Sequence, residues 1–555
     1  MRDNSSEGRL AWLALLVVAA LHLAGLGGPH LLEPDEGRYA DVARSFLSGT
    51  SLVVPRADFV PFLDKPPLVC WLGALSMRAF GTDAAALRLV PALAGILAAA
   101  VAGWLARLCY GRGAWAAILV YGTAPLALGV GRTFTLDVPL AALTGLGALL
   151  VLRGAGVFDE KRRSHADALL GGVVLGLATL VKGPVALGLA GLAVIAALAL
   201  APSRRLFSPL PWLVALAVSA PWYVLVCREL PGFARAFFLE ENLRRFAGTP
   251  TEHIHGPFFF LGTLGWGLGG GTLAGLALLA TGPPLSRGAR VLVAWAALVV
   301  GFFSLSSTKV ETYILPVFPP LAAVIGAELE LALDERRGPV WRALRPAGPI
   351  LVGALSLAVV TVTYLARELA SPLLAALPLG GIALGALAAK RSRVREALVI
   401  LAATPLLALP LVLELVGERS YKRSAECAFD LIAEARRTAP GLRVASYHYY
   451  YRGLPFFLGE PVTLLGELNE LRPESFAARP DLYMPDVFLA EMNVVGLCPD
   501  DCWTRGFLAA ERPLLVVMPT EQRRPQRFLD ACARAGVHAE PRGQKGEDVV
   551  FEVVR

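Results

Sequence analysis

Directly after its first apolar run the chain reads EPDEGRYA, residues 33–40, which crowds three carboxylates, a guanidinium and a phenol into eight positions. A carboxylate held within hydrogen-bond reach of an incoming hydroxyl or amine can remove its proton. Asp137 in GRTFTLDVPL is a second carboxylate, with Arg132 shortly before it. The cations are dispersed. Lys65 stands in FLDKPPL, where the double proline fixes the chain that follows. Lys182 stands in LATLVKGPVALGL before a Gly-Pro turn, and Lys309 precedes Tyr313 in SLSSTKVETYILPVFPP. Fixed cations suit the oxygens of a phosphate or pyrophosphate leaving group. Singly, each residue has a plainer reading: Asp35 and Glu36 as a solvated loop start, Asp137 as a charge favoured at a helix N-terminus. Together they describe proton removal from an acceptor next to stabilisation of a departing anion.

The elements that must position these groups are membrane helices. Of 555 residues, 55% are hydrophobic and only 17% charged, against about 25% charged in an ordinary soluble domain. The apolar residues fall in runs of roughly 17–25, the length that crosses the bilayer as helix. About thirteen spans are expected, near 10–28, 86–106, 113–131, 136–153, 167–182, 184–201, 209–227, 258–280, 289–306, 312–331, 347–366, 373–390 and 396–416. The first reads as a span and not a signal peptide, because many spans follow it and GLGGPHLLEPDE is a poor cleavage site.

Alternate breaks are strongly basic: KRRSHAD, SRR, SRGAR, DERRGPVWRALR and KRSRVR. The positive-inside rule places these in the cytoplasm, with the amino terminus, and places residues 33–40 outside. The formal net charge of +7 reflects those loops and gives no argument for nucleic acid. Asp35, Lys65, Asp137, Lys182 and Lys309 then reach one face of the membrane. The expected organisation is a membrane domain over 1–416, with a first outer loop at 29–85, and a soluble α/β domain over 417–555 on the outer side.

In the loop, YADVARSFLSG spaces Ala40, Ala43, Phe46 and Leu47 as one apolar helix face, with Asp41 and Arg44 facing away. PPLVCWLGALSMRAFG reads as a second helix, too short to span, and both suit the interface plane. In the tail, YKRSAECAFDLIAEARR reads as an amphipathic helix, while LRVASYHYYYRGLPFFLG, PLLVVMPT and DVVFEVV read as strands. Cys498 and Cys502 in CPDDC lack the second pair of a zinc ribbon; a local disulfide and reduced thiols both fit. No nucleotide-binding or H-E-x-x-H motif occurs.

The stretch from DEGRYADVARS through FLDKPPL to SMRAFG resembles the first outer loop of the bacterial lipid A aminoarabinose transferases, relatives of the protein O-mannosyltransferases with the GT-C glycosyltransferase fold. RTFTLDVPL, LVKGPVAL, PWYVLV, PGFARAFFLEENLRRF and FFSLSSTKVETYILPVFPPLA continue the likeness, which covers about residues 10–330 well. The resemblance implies an inverting transfer, metal-independent in its chemical step. A sugar (4-amino-4-deoxy-L-arabinose or another pentose or hexose) would leave a polyprenyl-phosphate carrier for a lipid, glycan or protein acceptor. It implies Asp35 as base and Asp137 as its companion, with Lys65, Arg38 and Lys182 on the lipid phosphate. Glu36, Tyr39, Arg132, Lys309 and Tyr313 would line the pocket. In that family a carboxylate before the lysine and a later histidine can hold a structural zinc. Here Asp64 with His253 or His255 gives only part of such a site, and two histidines near lipid headgroups are the plainer reading. Asn242 replaces an expected histidine in LEENLRRF.

A transporter of lipid-linked sugars could use the same cations without chemistry, but it would place charged groups near the bilayer midplane. A degenerate enzyme kept as an assembly subunit would not need Asp35, Lys65 and Asp137 together.

Overall fold

The structure is a computed structural model. It describes residues 4–335 apart from 48, 50, 59, 162 and 245–253, scattered positions between 382 and 417, 420–465 apart from 439 and 448, and 514–554. Seven described helices are long and apolar enough to cross a membrane. They include α1 (Asn4–Leu23), α4 (Ala84–Tyr110), α7 (Asp137–Gly154), α8 (His165–Lys182), α10 (Leu210–Glu229) and α13 (Arg287–Ser304). The seventh is α14 (Phe318–Glu335), entered through a 3-10 turn at Glu311–Val317.

Two expected spans are broken. The third divides into α5 (Ala114–Gly122) and α6 (Pro125–Val130), since Pro125 has no N–H for the ladder and opens a new helix. The eighth divides into α11 (Phe259–Gly267) and α12 (Gly270–Thr281), bent by 115°. A shorter apolar helix, α9 (Val185–Leu200), fills the sixth expected span. The spans expected at 347–366 and 373–390 lie almost wholly outside the described residues, and that at 396–416 is described only in part.

The bundle core is rich in alanine. Ala98, Ala102, Ala117, Ala141, Ala323 and Ala327 are fully enclosed, with Trp115 and Trp295 among them. Small side chains let helix backbones approach closely where water supplies no hydrophobic drive. At the end that carries the basic loops, Glu330 accepts from Trp115 and pairs with Arg395, while Arg112 pairs with Asp334.

The functional end is built by the first loop. It contains α2 (Asp35–Leu47), the short hairpin β1 (Arg56–Ala57) and β2 (Val60–Pro61), and α3 (Leu68–Phe80). α3 exposes Leu72, Leu75 and Phe80 along one side, as an interfacial helix would. The expectation for Asp41 is corrected. It does not face water but is buried, because its carboxylate accepts from Arg44 at 2.8 Å and from the Asp58 N–H at 2.6 Å.

Among the described residues, the C-terminal unit holds a five-stranded sheet in the order β4-β3-β5-β7-β6. Its strands are β3 (Arg443–Tyr447), β4 (Thr463–Leu465), β5 (Leu514–Pro519), β6 (His538–Lys545) and β7 (Asp548–Val554). β3 runs parallel to β4 and β5, while β7 runs antiparallel to β5 and β6. α15 (Ala425–Thr438) packs Leu431 and Ile432 on one face, and α17 (Arg524–Ala535) packs Phe528 on the other. β5 is therefore buried on both faces, which is why it reads as an unbroken apolar run. One strand expectation is corrected. GLPFFLG forms a short helix, α16 (Leu454–Leu458), because Pro455 sits in its first turn and Gly459 ends it in the left-handed conformation.

Candidate active site

α2 carries the first carboxylate. Asp35 opens the helix with its side chain 60% exposed, and the Arg38 guanidinium lies 3.9 Å away on the next turn. Tyr39 follows, buried against Phe62 in an edge-to-face contact. Burial pushes the Tyr39 phenol well above its ordinary value. The charge of Arg38 opposes this, and those of Asp35 and Asp137 add to it.

Glu36 does something different from its neighbour. It is 2% exposed, and both its oxygens receive the Arg88 guanidinium, at 2.8 and 2.7 Å. It also accepts from the N–H of Leu32 at 3.0 Å and of Phe134 at 2.7 Å. Arg88 in turn donates to the carbonyls of Leu26, Pro29 and His30. A doubly held, fully hydrogen-bonded carboxylate is a strut. It fastens the start of α2 to α4 and to the turn three residues before Asp137.

Asp137 sits at the N-terminus of α7 and Lys182 at the C-terminus of α8, each where the helix dipole favours its charge. They meet at 2.5 Å, and the same ammonium lies 5.3 Å from the centre of the Tyr313 ring. The chain leaves Lys182 through Gly183 at φ +85°, a conformation that favours glycine. A Cβ there would also lie 2.8 Å from the Phe237 ring.

Phe237 belongs to a π-helical segment, Arg235–Arg244, that links the two lysines. Its Glu241 pairs with Lys65, which also donates to the Asp64 carbonyl at 3.0 Å. Asn242 donates to the Phe237 carbonyl at 2.7 Å and faces Gly183. Lys65 and Gly183, the residue after Lys182, thus both approach this short segment.

The remaining candidates are placed as follows. Arg132 donates to the carbonyls of Leu21, His22 and Ala24, so it closes the C-terminal end of α1. Lys309 is buried and donates to the Ser306 carbonyl at 2.7 Å. Tyr313 packs on Phe303. His255 is exposed and stacks on Phe259, with ring centres 4.1 Å apart. His253 lies outside the described residues, as do Cys498 and Cys502. Among the described residues, no three His, Cys, Asp or Glu side chains converge as metal ligands.

The family profile described as dolichyl-phosphate-mannose-protein mannosyltransferase matches residues 64–225, which include Lys65, Asp137 and Lys182. The undecaprenyl phosphate-α-4-amino-4-deoxy-L-arabinose arabinosyl transferase of Edwardsiella ictaluri is 30% identical over 392 residues, 68% of this chain and 70% of that one. The chain belongs to this arabinosyl transferase family. The member from Pectobacterium carotovorum is 32% identical over 330 residues, 56% of this chain and 58% of its own. The crystal structure of ArnT from Cupriavidus metallidurans bound to undecaprenyl phosphate superposes with a TM-score of 0.78 at 24% identity. It covers 99% of this chain and 98% of that one, so the arabinosyl transferase fold extends through the C-terminal unit.

Within this candidate site of the arabinosyl transferase family member, sequence reasoning missed two partners. Arg88, in AAALRLVPAL, was visible as a lone cation inside an apolar run, a setting that demands a partner. Glu241 stands in LEENLRRF, which carries the family likeness, but its pairing with Lys65 left no mark in the sequence because it is made across 176 positions of chain.

Proposed function

We propose that this chain is an integral-membrane glycosyltransferase that takes a sugar from a polyprenyl-phosphate carrier, with 4-amino-4-deoxy-L-arabinose as the first sugar to test and lipid A as the first acceptor. The observation that carries the reading is the Asp137–Lys182 pair, a carboxylate and a cation set 2.5 Å apart at the ends of two membrane helices. Asp35 is the base. It accepts the proton of the acceptor hydroxyl while that oxygen attacks the anomeric carbon from the side opposite the leaving group. The bond from the anomeric carbon to the phosphate oxygen breaks, configuration inverts, and the electron pair departs on polyprenyl phosphate. Lys65, Lys182 and Arg38 stabilise the charge that develops there. Asp137 holds Lys182 in place, and Tyr39 lines the space between the two acids.

The chemical step uses no metal. Metal analysis of the purified protein decides whether Asp64 with His253 or His255 holds a structural zinc. The membrane reading comprises about thirteen spans in a bacterial inner membrane, a cytoplasmic amino terminus and a periplasmic C-terminal α/β unit. A transporter reading is disfavoured by where the charges stand: Asp137 and Lys182 occupy helix ends, not helix middles.

The test is reconstitution. Purified protein is given undecaprenyl phosphate-aminoarabinose and lipid A, and the products are read by mass spectrometry. Sugar-modified lipid A with release of undecaprenyl phosphate supports the reading. Movement of intact donor across a vesicle membrane without product formation supports the transporter instead.

A further inference from the structure

Asp35 is flanked by two carboxylates that the reaction does not use. Glu36 fastens the helix start to the membrane bundle. Glu33 fastens it the other way. Its Oε1 accepts from the Gly453 N–H at 2.6 Å and its Oε2 from the Arg452 N–H at 3.1 Å. Its own N–H donates to the Arg423 carbonyl at 3.1 Å.

Two residues beyond Asp35, Gly37 meets the same tail residue. A Cβ on Gly37 would lie 2.9 Å from the Gly453 Cα, and one on Gly453 would lie 3.0 Å from the Gly37 Cα. Both positions need glycine because two backbones touch there. One turn on, Tyr39, Ala40 and Ala43 share an apolar cluster with Phe456 of α16. The hairpin repeats the arrangement: Asp58 accepts from the Val462 N–H at 2.9 Å, and Asp41 accepts from the Asp58 N–H. His30 adds a contact of 2.5 Å to Glu426.

A docking contact made only to attach one unit to another could fall anywhere on the loop. Here it includes the residues two before and two after the base. On the Asp35 reading given above, we propose that Glu33 is a positioning residue: by gripping the backbone of Arg452 and Gly453, it makes the C-terminal α/β unit the outer brace that aims Asp35. The unit is then part of the catalytic apparatus, although none of its described side chains is asked to touch the reacting atoms. A misplacement of about 1 Å in a reacting group costs on the order of 100-fold in rate, so a brace at this point is worth having.

The experiment uses the full chain in detergent, with Glu33→Ala, Glu33→Gln, Glu33→Asp and, as reference, Asp35→Asn. Three quantities are read per folded molecule: kcat, binding of undecaprenyl phosphate, and amide hydrogen exchange over residues 35–47. The brace predicts that Glu33→Gln lowers kcat about 10-fold and Glu33→Ala more, with undecaprenyl phosphate binding unchanged and exchange in α2 faster. Glu33→Asp recovers part of the loss. If Glu33→Ala does not fold, Glu33→Gln, which keeps the size and one acceptor, decides. Wild-type kcat and wild-type α2 exchange in Glu33→Gln overturn the proposal. Full turnover by Asp35→Asn would instead remove the base assignment, and the exchange measurement would still decide whether Glu33 braces α2.

Discussion

The Lys182 ammonium lies 2.5 Å from the Asp137 carboxylate, joining the last residue of one membrane helix to the first of another. Each charge is favoured by its own helix end and again by its partner. The pair supplies a cation that is held in place before any phosphate arrives.

Lys182→Ala should therefore raise the donor requirement about 10- to 100-fold, the loss of one or two charge-assisted contacts. Asp137→Asn should raise it less, and the double variant should lose less than the sum, since the two residues act together. Initial rates against donor concentration give all three values. Strict additivity would separate the residues into independent roles.

In the proposed reaction, Glu241 competes with the donor phosphate for the Lys65 ammonium, which it already pairs. Glu241→Gln should lower the donor concentration needed for half-maximal rate several-fold, and Lys65→Ala should raise it, about 10-fold or more. Titration of undecaprenyl phosphate against both variants checks the opposite signs. Weaker binding in both would mean that Glu241 orders Lys65 and does not compete for it.

The Glu36–Arg88 pair is buried and fully bonded, so removing one partner strands a charge. Arg88→Ala or Glu36→Ala should cost about 3–5 kcal/mol of stability. Replacing both with apolar residues of similar size should restore much of it. Thermal unfolding in detergent, with folded yield, gives the comparison. A single alanine variant that melts like the parent protein would contradict the strut.

Burial between the loop and the C-terminal unit pushes Glu33 up from 4.5 to about 7, against the opposing Gly453 and Arg452 N–H groups and the charges of Arg452 and Arg38. An acid raised on folding binds more protons folded than unfolded between those two values. Its contribution to stability is therefore greatest at the acid end and falls as pH rises from 4.5 through about 7. Asp548, raised to about 6 mainly by burial, acts with the same sign from the sheet. Melting temperature of the parent protein should fall across this window, and Glu33→Gln should flatten part of the slope. An equal slope in the variant would assign the dependence to other groups.

How much of this was legible in the sequence follows from what each feature depends on. Helix positions were legible because a span is a run of composition: α7 at Asp137–Gly154 sits where 136–153 was expected. The break before Pro125 and the short helix at Leu454–Leu458 could have been found from Pro and Gly placement. Within the sheet, β5 and β7 were visible as apolar runs, whereas β6 was not, since HAEPRGQK alternates weakly and sits at an edge. Asp35, Lys65, Asp137 and Lys182 could be picked out as charges in apolar company. The partner of Lys65, Glu241, could not. Arg132 and Glu36 look like site residues by type, and only coordinates assign one to the α1 carbonyls and the other to Arg88. Glu33 was passed over because its partners are backbone N–H groups more than 400 residues away, and sequence carries no mark of those.

In the proposed reaction Asp35 removes the acceptor's proton. The most direct measurement is single-turnover transfer by Asp35→Asn beside undecaprenyl phosphate binding by the same protein. The rate should fall by about 100- to 10,000-fold, with undecaprenyl phosphate bound as tightly as by the parent chain. Transfer at the parent rate by Asp35→Asn would contradict that role.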